Sequence, residues 1–211
     1  MGPALTGPVA LSTGRGPGGR LPGNRSGRTS DHQSIDASQV ADLTGTAATA
    51  GVLALAVLAA VRIAAPGRFG EVRAALAGSG PALGAVVAVL ATAASLWFSE
   101  GAGFPPCDLC WYQRIAMYPL AVLLPLAAAR RDARIRLYGI VLAGLGLTVS
   151  AWHNFIETFP HRDPGGCDPA NPCTVRWVEG LGFWTIPRMA ALSFVLIIVV
   201  LALDRPLVEE P

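Results

Sequence analysis

The chain has 211 residues, of which 52% are hydrophobic and only 14% charged, with a formal net charge of +2. Soluble domains carry about 25% charged residues, so this shortage, with a mean hydropathy of +0.48, excludes an ordinary water-facing surface and points to the membrane class. The small net charge gives no support to a nucleic-acid partner; every basic residue is Arg, and the arginines gather between apolar runs.

Residues 1–45 are rich in Gly, Pro, Ser, Thr and Arg and show no apolar period. They cannot bury enough apolar surface to offset ordering, so a disordered tail is expected there. An apolar run over 47–61, continuing past Arg62, makes 46–65 a possible extra transmembrane helix. Its basic leader also fits a signal peptide.

The run 82–98 ends in Trp97 and Phe98, an interfacial aromatic pair, and carries Gly84, Ala88 and Thr92 at four-residue spacing. Such small residues let a neighbouring helix approach closely. After the loop GAGFPPCDLC comes a run over 115–129, opened by Trp111 and Tyr112 and containing Pro119 and Pro125. Prolines are tolerated in a packed membrane helix and are expected to bend it. Arg130, Arg131, Arg134 and Arg136 follow as a short basic loop.

The run 137–152 carries Gly146 and Ser150, a second small-residue pair, and ends in the polar loop HNFIETFPHRDPGGCDPANPC. TVRWVEGLGFWT is mixed in character and suits a segment lying along the interface. Trp111, Trp177 and Trp184 read as interface anchors rather than cofactor contacts. The last run, 186–203, stops at Asp204-Arg205-Pro206. Each run falls a little short of the ~20 residues that span about 30 Å, and flanking aromatic and Arg side chains make up the difference. The expected fold is an all-α membrane protein: a four-helix bundle over 82–205, with a possible extra N-terminal helix.

The positive-inside rule places the four-arginine loop in the cytoplasm. Both neighbouring loops, which hold all four cysteines, are then expected outside. Arg62, Arg68 and Arg73 fall on the cytoplasmic side as well. If 46–65 spans, Arg15, Arg20, Arg25 and Arg28 lie outside, against the local rule. A cleaved signal peptide fits worse, because the next helix would enter from the wrong side.

The cysteines form one C-x-x-C, Cys107 and Cys110, and one C-x5-C, Cys167 and Cys173. Two close pairs point to pairing in an oxidising space, either as static disulfides or for redox work. Cys110 lies near the start of a helix, where free N–H groups and the helix dipole stabilise a thiolate. Arg114, four residues on, lies one turn deeper on the same face. An Arg just inside hydrocarbon is costly; it either serves a site or snorkels to the headgroups. His153, at the outer end of its run, is suited to donate to a quinone carbonyl or relay a proton, or is an interfacial His without a task. The loop CDPANPC is rich in Pro and Asp, accessible to a protein partner, and able to swing toward Cys107.

FPPCDLCWYQRIAMYPL resembles the signature of the DsbB/BdbC family of disulfide-bond formation proteins, a C-x-x-C followed by a Tyr-x-Arg start to the second core helix. The similarity continues through Trp152-His153, Cys173, Trp177, Gly182 and Ile186-Pro187, covering about residues 82–205. It implies a multi-pass protein of the bacterial cytoplasmic membrane that oxidises a DsbA-like thioredoxin-fold partner and reduces a quinone, ubiquinone or menaquinone. Carried over, Cys167 and Cys173 are the pair that takes electrons from the partner, and Cys107 and Cys110 the pair beside the quinone. Arg114 and His153 are the quinone-side residues. The short second pair is nearer the BdbC branch, and the first 80 residues have no counterpart in the pattern.

Two other readings use the same residues. A vitamin K epoxide reductase-like protein carries its loop pair before the C-x-x-C, the reverse of the order here. A Cys-ligated metal or structural membrane protein would use four thiolates, which an oxidising space disfavours.

Overall fold

A computed structural model describes residues 36–132 and 134–204. The tail expected over 1–45 lies outside the described residues as far as position 35. From there it differs from expectation, because helix α1 (Ala37–Ala64) starts well before the apolar run. The reason is local. Asp36 and Gln39 form a capping box, which satisfies the first free N–H groups. The hydroxyls of Thr44, Thr46 and Thr49 then donate to carbonyls four residues back. A stretch that reads as polar thus hides its polar groups within the helix. At 1.5 Å per residue, α1 is about 42 Å long, enough to cross a bilayer.

Pro66 opens the short helix α2 (Pro66–Ala75), which carries Arg68 and Arg73. Gly78, with φ +77°, turns the chain into α3 (Gly80–Leu96), which continues as a π-helical turn over Trp97–Gly101. Helix α4 (Asp108–Arg130) runs unbroken through Pro119 and Pro125. Helix α5 (Ile135–Thr158) and a 3-10 turn (Pro160–Arg162) lead to the second cysteine loop, and α6 (Ile186–Leu203) closes the fold.

Helices α3, α4, α5 and α6 form a four-helix ring, each packed on two neighbours. Its centre is Leu120 and Leu124 from α4, Ala143 from α5, and Phe194, Ile197 and Leu201 from α6. The small-residue pairs act as expected. Gly146 leaves the space filled by the Phe194 ring, and a Cβ at Gly84 would stand 3.1 Å from Leu124. Among the described residues, four helical segments are long and apolar enough to cross a membrane: α1, α3 with its π-turn, α5 and α6. Helix α4 falls outside that set because Asp108, Gln113, Arg114 and two prolines lower its hydropathy, yet its Leu120 and Leu124 are fully buried. Val57, Leu90, Leu126, Val141 and Leu145 face outward, as suits a surface whose solvent is lipid. The chain is a multi-pass membrane protein.

Antiparallel packing puts the four-arginine loop at one end and both cysteine loops at the other. Asp204 fastens the first end: its carboxylate accepts from Gly78 N at 2.6 Å and its carbonyl from Arg136 at 2.8 Å. At the cysteine end, Asp108 accepts from Asp168 N, joining the two loops. The segment 174–185 forms an irregular strap with a tight turn at Leu181 and Gly182, both with positive φ.

Candidate active site

Cys107 is the N-cap of α4, and its sulphur accepts from Cys110 N at 3.4 Å. That cap fixes the geometry of the pair: the two free thiols lie side by side, Sγ to Sγ 2.9 Å. Cys110 lies in the first helical turn and is half-buried, whereas Cys107 is buried.

The second pair is a disulfide, Cys167–Cys173, with a Cα–Cα distance of 6.0 Å. Its two sulphurs differ in environment. Cys167 is half-buried near the surface of its loop, while Cys173 is 1% exposed and shares a buried cluster with Cys107 and Ile156.

His153 occupies the space between the pairs. Its Nε2 lies 3.0 Å from the Cys173 carbonyl oxygen and 3.8 Å from Cys107 Sγ. On its other side, Nδ1 meets Gln113 Nε2 at 3.0 Å. A carbonyl oxygen only accepts, so Nε2 bears a proton and Nδ1 receives the Gln113 N–H. The ring therefore sits behind the cysteines and lines the small pocket with Cys107, Cys110 and Arg176, not the large cavity described below. This differs from a direct approach to a quinone carbonyl.

In the dithiol, the charge is favoured on Cys107 rather than on Cys110. The Cys110 thiol donates to Cys107 and outweighs the opposing push of burial; with His153 adding to it, the Cys107 thiol is held well below its ordinary value, at about 5. Helix position alone had pointed to Cys110. The cap reverses this, since Cys107 receives both the thiol and the backbone N–H of Cys110.

Arg114 does lie one turn below Cys110. Its guanidinium donates from Nε to Ser95 Oγ at 3.1 Å and from NH2 to the Ser95 carbonyl at 2.9 Å. It also lies 5.2 Å from the centre of the Trp111 ring, a favourable cation–π position. The side chain is thus pinned to α3 and does not snorkel outward.

Cys110 and Arg114 together line a cavity of about 280 Å³ walled by α1, α3, α4 and α6. Most of its lining is aliphatic or aromatic, including Phe98, Met117, Met189 and Phe194. Its few polar groups include Ser95, Gln113, Arg114 and Tyr118, and the buried Tyr118 hydroxyl has no partner. An apolar cavity with a cation, a reactive sulphur and an unpartnered hydroxyl fits a flat, apolar molecule with carbonyl oxygens, as a membrane quinone is.

Other residues were not singled out from the sequence. Gln113 is buried and positions His153; a Gln one turn into a membrane helix is itself a signal. Glu157, one turn beyond His153, is buried and pairs with Arg176 at 3.0 Å while accepting from Thr185. This network ties the strap after Cys173 to α5. Trp177 stacks on Phe104 and lines the cavity, and Trp184 donates to Thr49 of α1. Trp184 is therefore a buried internal contact rather than an interface anchor, whereas Trp111 and Trp177 remain exposed.

Cys107, Cys110 and His153 also bring three metal-ligating atoms within 4.8 Å of one another. A site with four thiolates is not formed, because Cys167 and Cys173 are bonded to each other.

A family model described as disulfide bond formation protein DsbB matches residues 79–203. A probable disulfide formation protein of Oceanobacillus iheyensis is 41% identical over 116 residues, 54% of this chain and 80% of that protein. The disulfide bond formation protein C of Bacillus subtilis is 40% identical over 119 residues, 56% of this chain and 86% of that protein. A probable disulfide formation protein C 2 of Bacillus cereus is 36% identical, again over 119 residues, 56% of this chain and 86% of that protein. No solved structure matches the chain.

Proposed function

The chain belongs to the DsbB family of disulfide bond formation proteins, and from that premise we propose that it is a membrane thiol:quinone oxidoreductase that reoxidises a DsbA-like thioredoxin-fold protein. The observation that carries the reading is the ordering of the four sulphurs. Cys167 is half-buried in its loop, Cys173 and Cys107 share a buried cluster, and half-buried Cys110 lines the apolar cavity.

The relay follows from that order. A partner thiolate attacks Cys167, the accessible sulphur, and Cys173 leaves as a thiolate. The Cys173 thiolate attacks Cys107 of an oxidised Cys107–Cys110 pair, and Cys110 leaves. The partner's second thiol resolves its own mixed disulfide and releases Cys167. Cys167 then attacks Cys173, restoring the loop disulfide and freeing Cys107. The partner has lost two electrons and two protons, and Cys107 and Cys110 have gained them.

Each step has a residue that favours it. A sulphur with a low pKa leaves faster, which suits Cys107 in the last exchange. His153 holds the Cys173 carbonyl and faces Cys107, so it keeps the two pairs in register. While Cys107 is held in the mixed disulfide, Cys110 carries the negative charge, at the start of α4 and one turn above Arg114.

Cys110, Arg114, Ser95 and Tyr118 are the residues that would hold a quinone headgroup. When bound, a quinone supplies the two-electron, two-proton sink that returns Cys107 and Cys110 to the disulfide. Both cysteine loops face the extracytoplasmic side in this reading, since the arginine-rich end belongs in the cytoplasm.

The test is anaerobic mixing of the purified protein with a reduced thioredoxin-fold protein and either ubiquinone or menaquinone, following quinone absorbance. Stoichiometric quinone reduction, abolished by Cys110→Ser, is expected. Oxidation of the partner with no quinone consumed would overturn the reading.

A further inference from the structure

Helix α1 and the short α2 lie outside the family match, which begins at residue 79. Yet α1 is seated on the bundle by specific contacts. Its Asp42 carboxylate accepts from Leu181 N at 2.9 Å, and its Thr49 hydroxyl accepts from Trp184 Nε1 at 2.9 Å. Ala41, Thr44, Gly45, Ala48, Gly51, Leu55 and Leu58 recur at three- and four-residue steps as its more buried face. The small residues on that stripe permit close approach: a Cβ at Gly51 would stand 3.1 Å from Leu196, and one at Gly45 3.2 Å from Trp184. The rest of α1, Leu53 and Val57 among it, is exposed.

The same stripe reaches the cavity. Thr44, Ala47 and Ala48 line it opposite residues of α3 and α4 that include Ser95, Cys110 and Arg114. Without α1 that side of the cavity would be bounded by no protein, because the remaining lining comes from α3, α4, α6 and the loops at the cysteine end. We propose that α1 is an appended wall of the quinone cavity and that Thr44 and Ala48 set the size of headgroup the site admits. The proposal rests on the quinone reading of this cavity and goes beyond it, since it assigns substrate selection to a helix outside the family core.

The physical argument is one of volume. Thr44 and Ala48 are small, and their Cβ atoms come from a backbone pinned at Asp42 and Thr49. A bulkier side chain therefore cannot be relieved by a free shift of α1. Replacing Ala48 by Phe adds on the order of 100 Å³ to a cavity of about 280 Å³, enough to exclude a fused two-ring headgroup before a single ring.

The experiment uses the full chain in lipid nanodiscs and titrates a naphthoquinone and a benzoquinone, each with a short tail, following quenching of Trp fluorescence. Steady-state quinone reduction and thiol exchange with a reduced thioredoxin-fold protein are measured in parallel. For Ala48→Phe, naphthoquinone affinity should fall about tenfold or more and benzoquinone affinity by clearly less, with thiol exchange unchanged. Thr44→Leu, a smaller step that leaves α1 capped, should change affinities in the same order and carries the test if Ala48→Phe does not fold. Val57→Phe, on the exposed face, should change neither. If the wild type binds and reduces quinone but the two wall variants match it for both headgroups, the inference is overturned and the quinone reading stands. If the wild type binds neither quinone, the quinone reading itself is overturned, and the inference with it.

Discussion

Gln113 Nε2 lies 3.0 Å from His153 Nδ1, with both side chains buried. With the Cys173 carbonyl accepting from Nε2, this contact gives Nδ1 its donor and holds the Nε2 edge of the ring toward Cys173 and Cys107. Gln113→Leu keeps the approximate volume and removes the donor. The unsatisfied ring nitrogen should cost about 1–3 kcal/mol of stability. Exchange between the two cysteine pairs should slow about tenfold, the ratio equivalent to ~1.4 kcal/mol. Stopped-flow mixing of the quinone-free protein with a reduced partner reports the exchange directly; an unaltered rate would show that His153 does not govern it.

The position of Cys107 predicts a pH signature of the reduced protein. Its folded thiol titrates at about 5, against an ordinary value of 9.0. The folded state therefore holds the thiolate more favourably than the unfolded chain does. The resulting stabilisation is fully present above the unfolded value and is lost as pH falls through about 5. Thiolate absorbance near 240 nm should show a transition near pH 5 that Cys107→Ser removes. The melting temperature of the reduced protein should fall between pH 7 and pH 4.5 by more than that of the form in which Cys107 and Cys110 are bonded.

Because Cys173 is buried and Cys167 only half-buried, a reduced thioredoxin-fold partner lacking its second cysteine should attack the Cys167–Cys173 disulfide, expel Cys173 as a thiolate and stay bonded to Cys167. Non-reducing gels should show a mixed disulfide with the thioredoxin-fold chain, lost on substitution of Cys167. An adduct carried by Cys107 instead would reverse the proposed order of electron flow.

Arg114→Met removes the cation and keeps most of the apolar stem. With Ser95 left to solvate itself, the helix pair should survive and thiol exchange should persist. The apparent KM for quinone should rise about tenfold, the equivalent of ~1.4 kcal/mol. Arg114→Lys should restore only part of this, since Lys cannot bond both Ser95 atoms as the guanidinium fork does. Unchanged quinone kinetics in folded Arg114→Met would place the headgroup elsewhere in the cavity.

Sidedness is tested on Cys167, the sulphur of the loop pair open to a reagent. In intact cells, after mild reduction, an impermeant maleimide should label it without lysis. Labelling that required broken cells would reverse the topology.

Much of the bundle was legible in the sequence because lipid imposes long apolar runs, and the small residues at Gly84 and Gly146 marked where helices meet. The two cysteine pairs and Arg114 were legible because reactive or charged groups are costly in that setting. The start of α1 was not, since Thr44, Thr46 and Thr49 read as polar until their hydroxyls are seen to bond their own helix. The place of His153 was not legible either. Sequence put it at the right end of α5, but only packing shows that its Nε2 faces the Cys173 carbonyl while its Nδ1 meets Gln113 on α4. The division of labour within each cysteine pair likewise depends on burial, which spacing does not encode.

The attachment of Arg114 to Ser95 bears on how the chain enters the bilayer. An Arg in a lone membrane helix adds to the cost of insertion, by roughly 2.5–3.5 kcal/mol at the helix centre and by less near an end, where Arg114 stands, and α4 has little apolar surplus to offset it. Both acceptors for this guanidinium belong to the helix synthesised just before it. Helices α3 and α4 can therefore partition together as a hairpin, with the guanidinium already satisfied when α4 leaves the translocation channel. Ser95, which lines the cavity beside Cys110, would then also bear on the yield of correctly inserted protein in the cell.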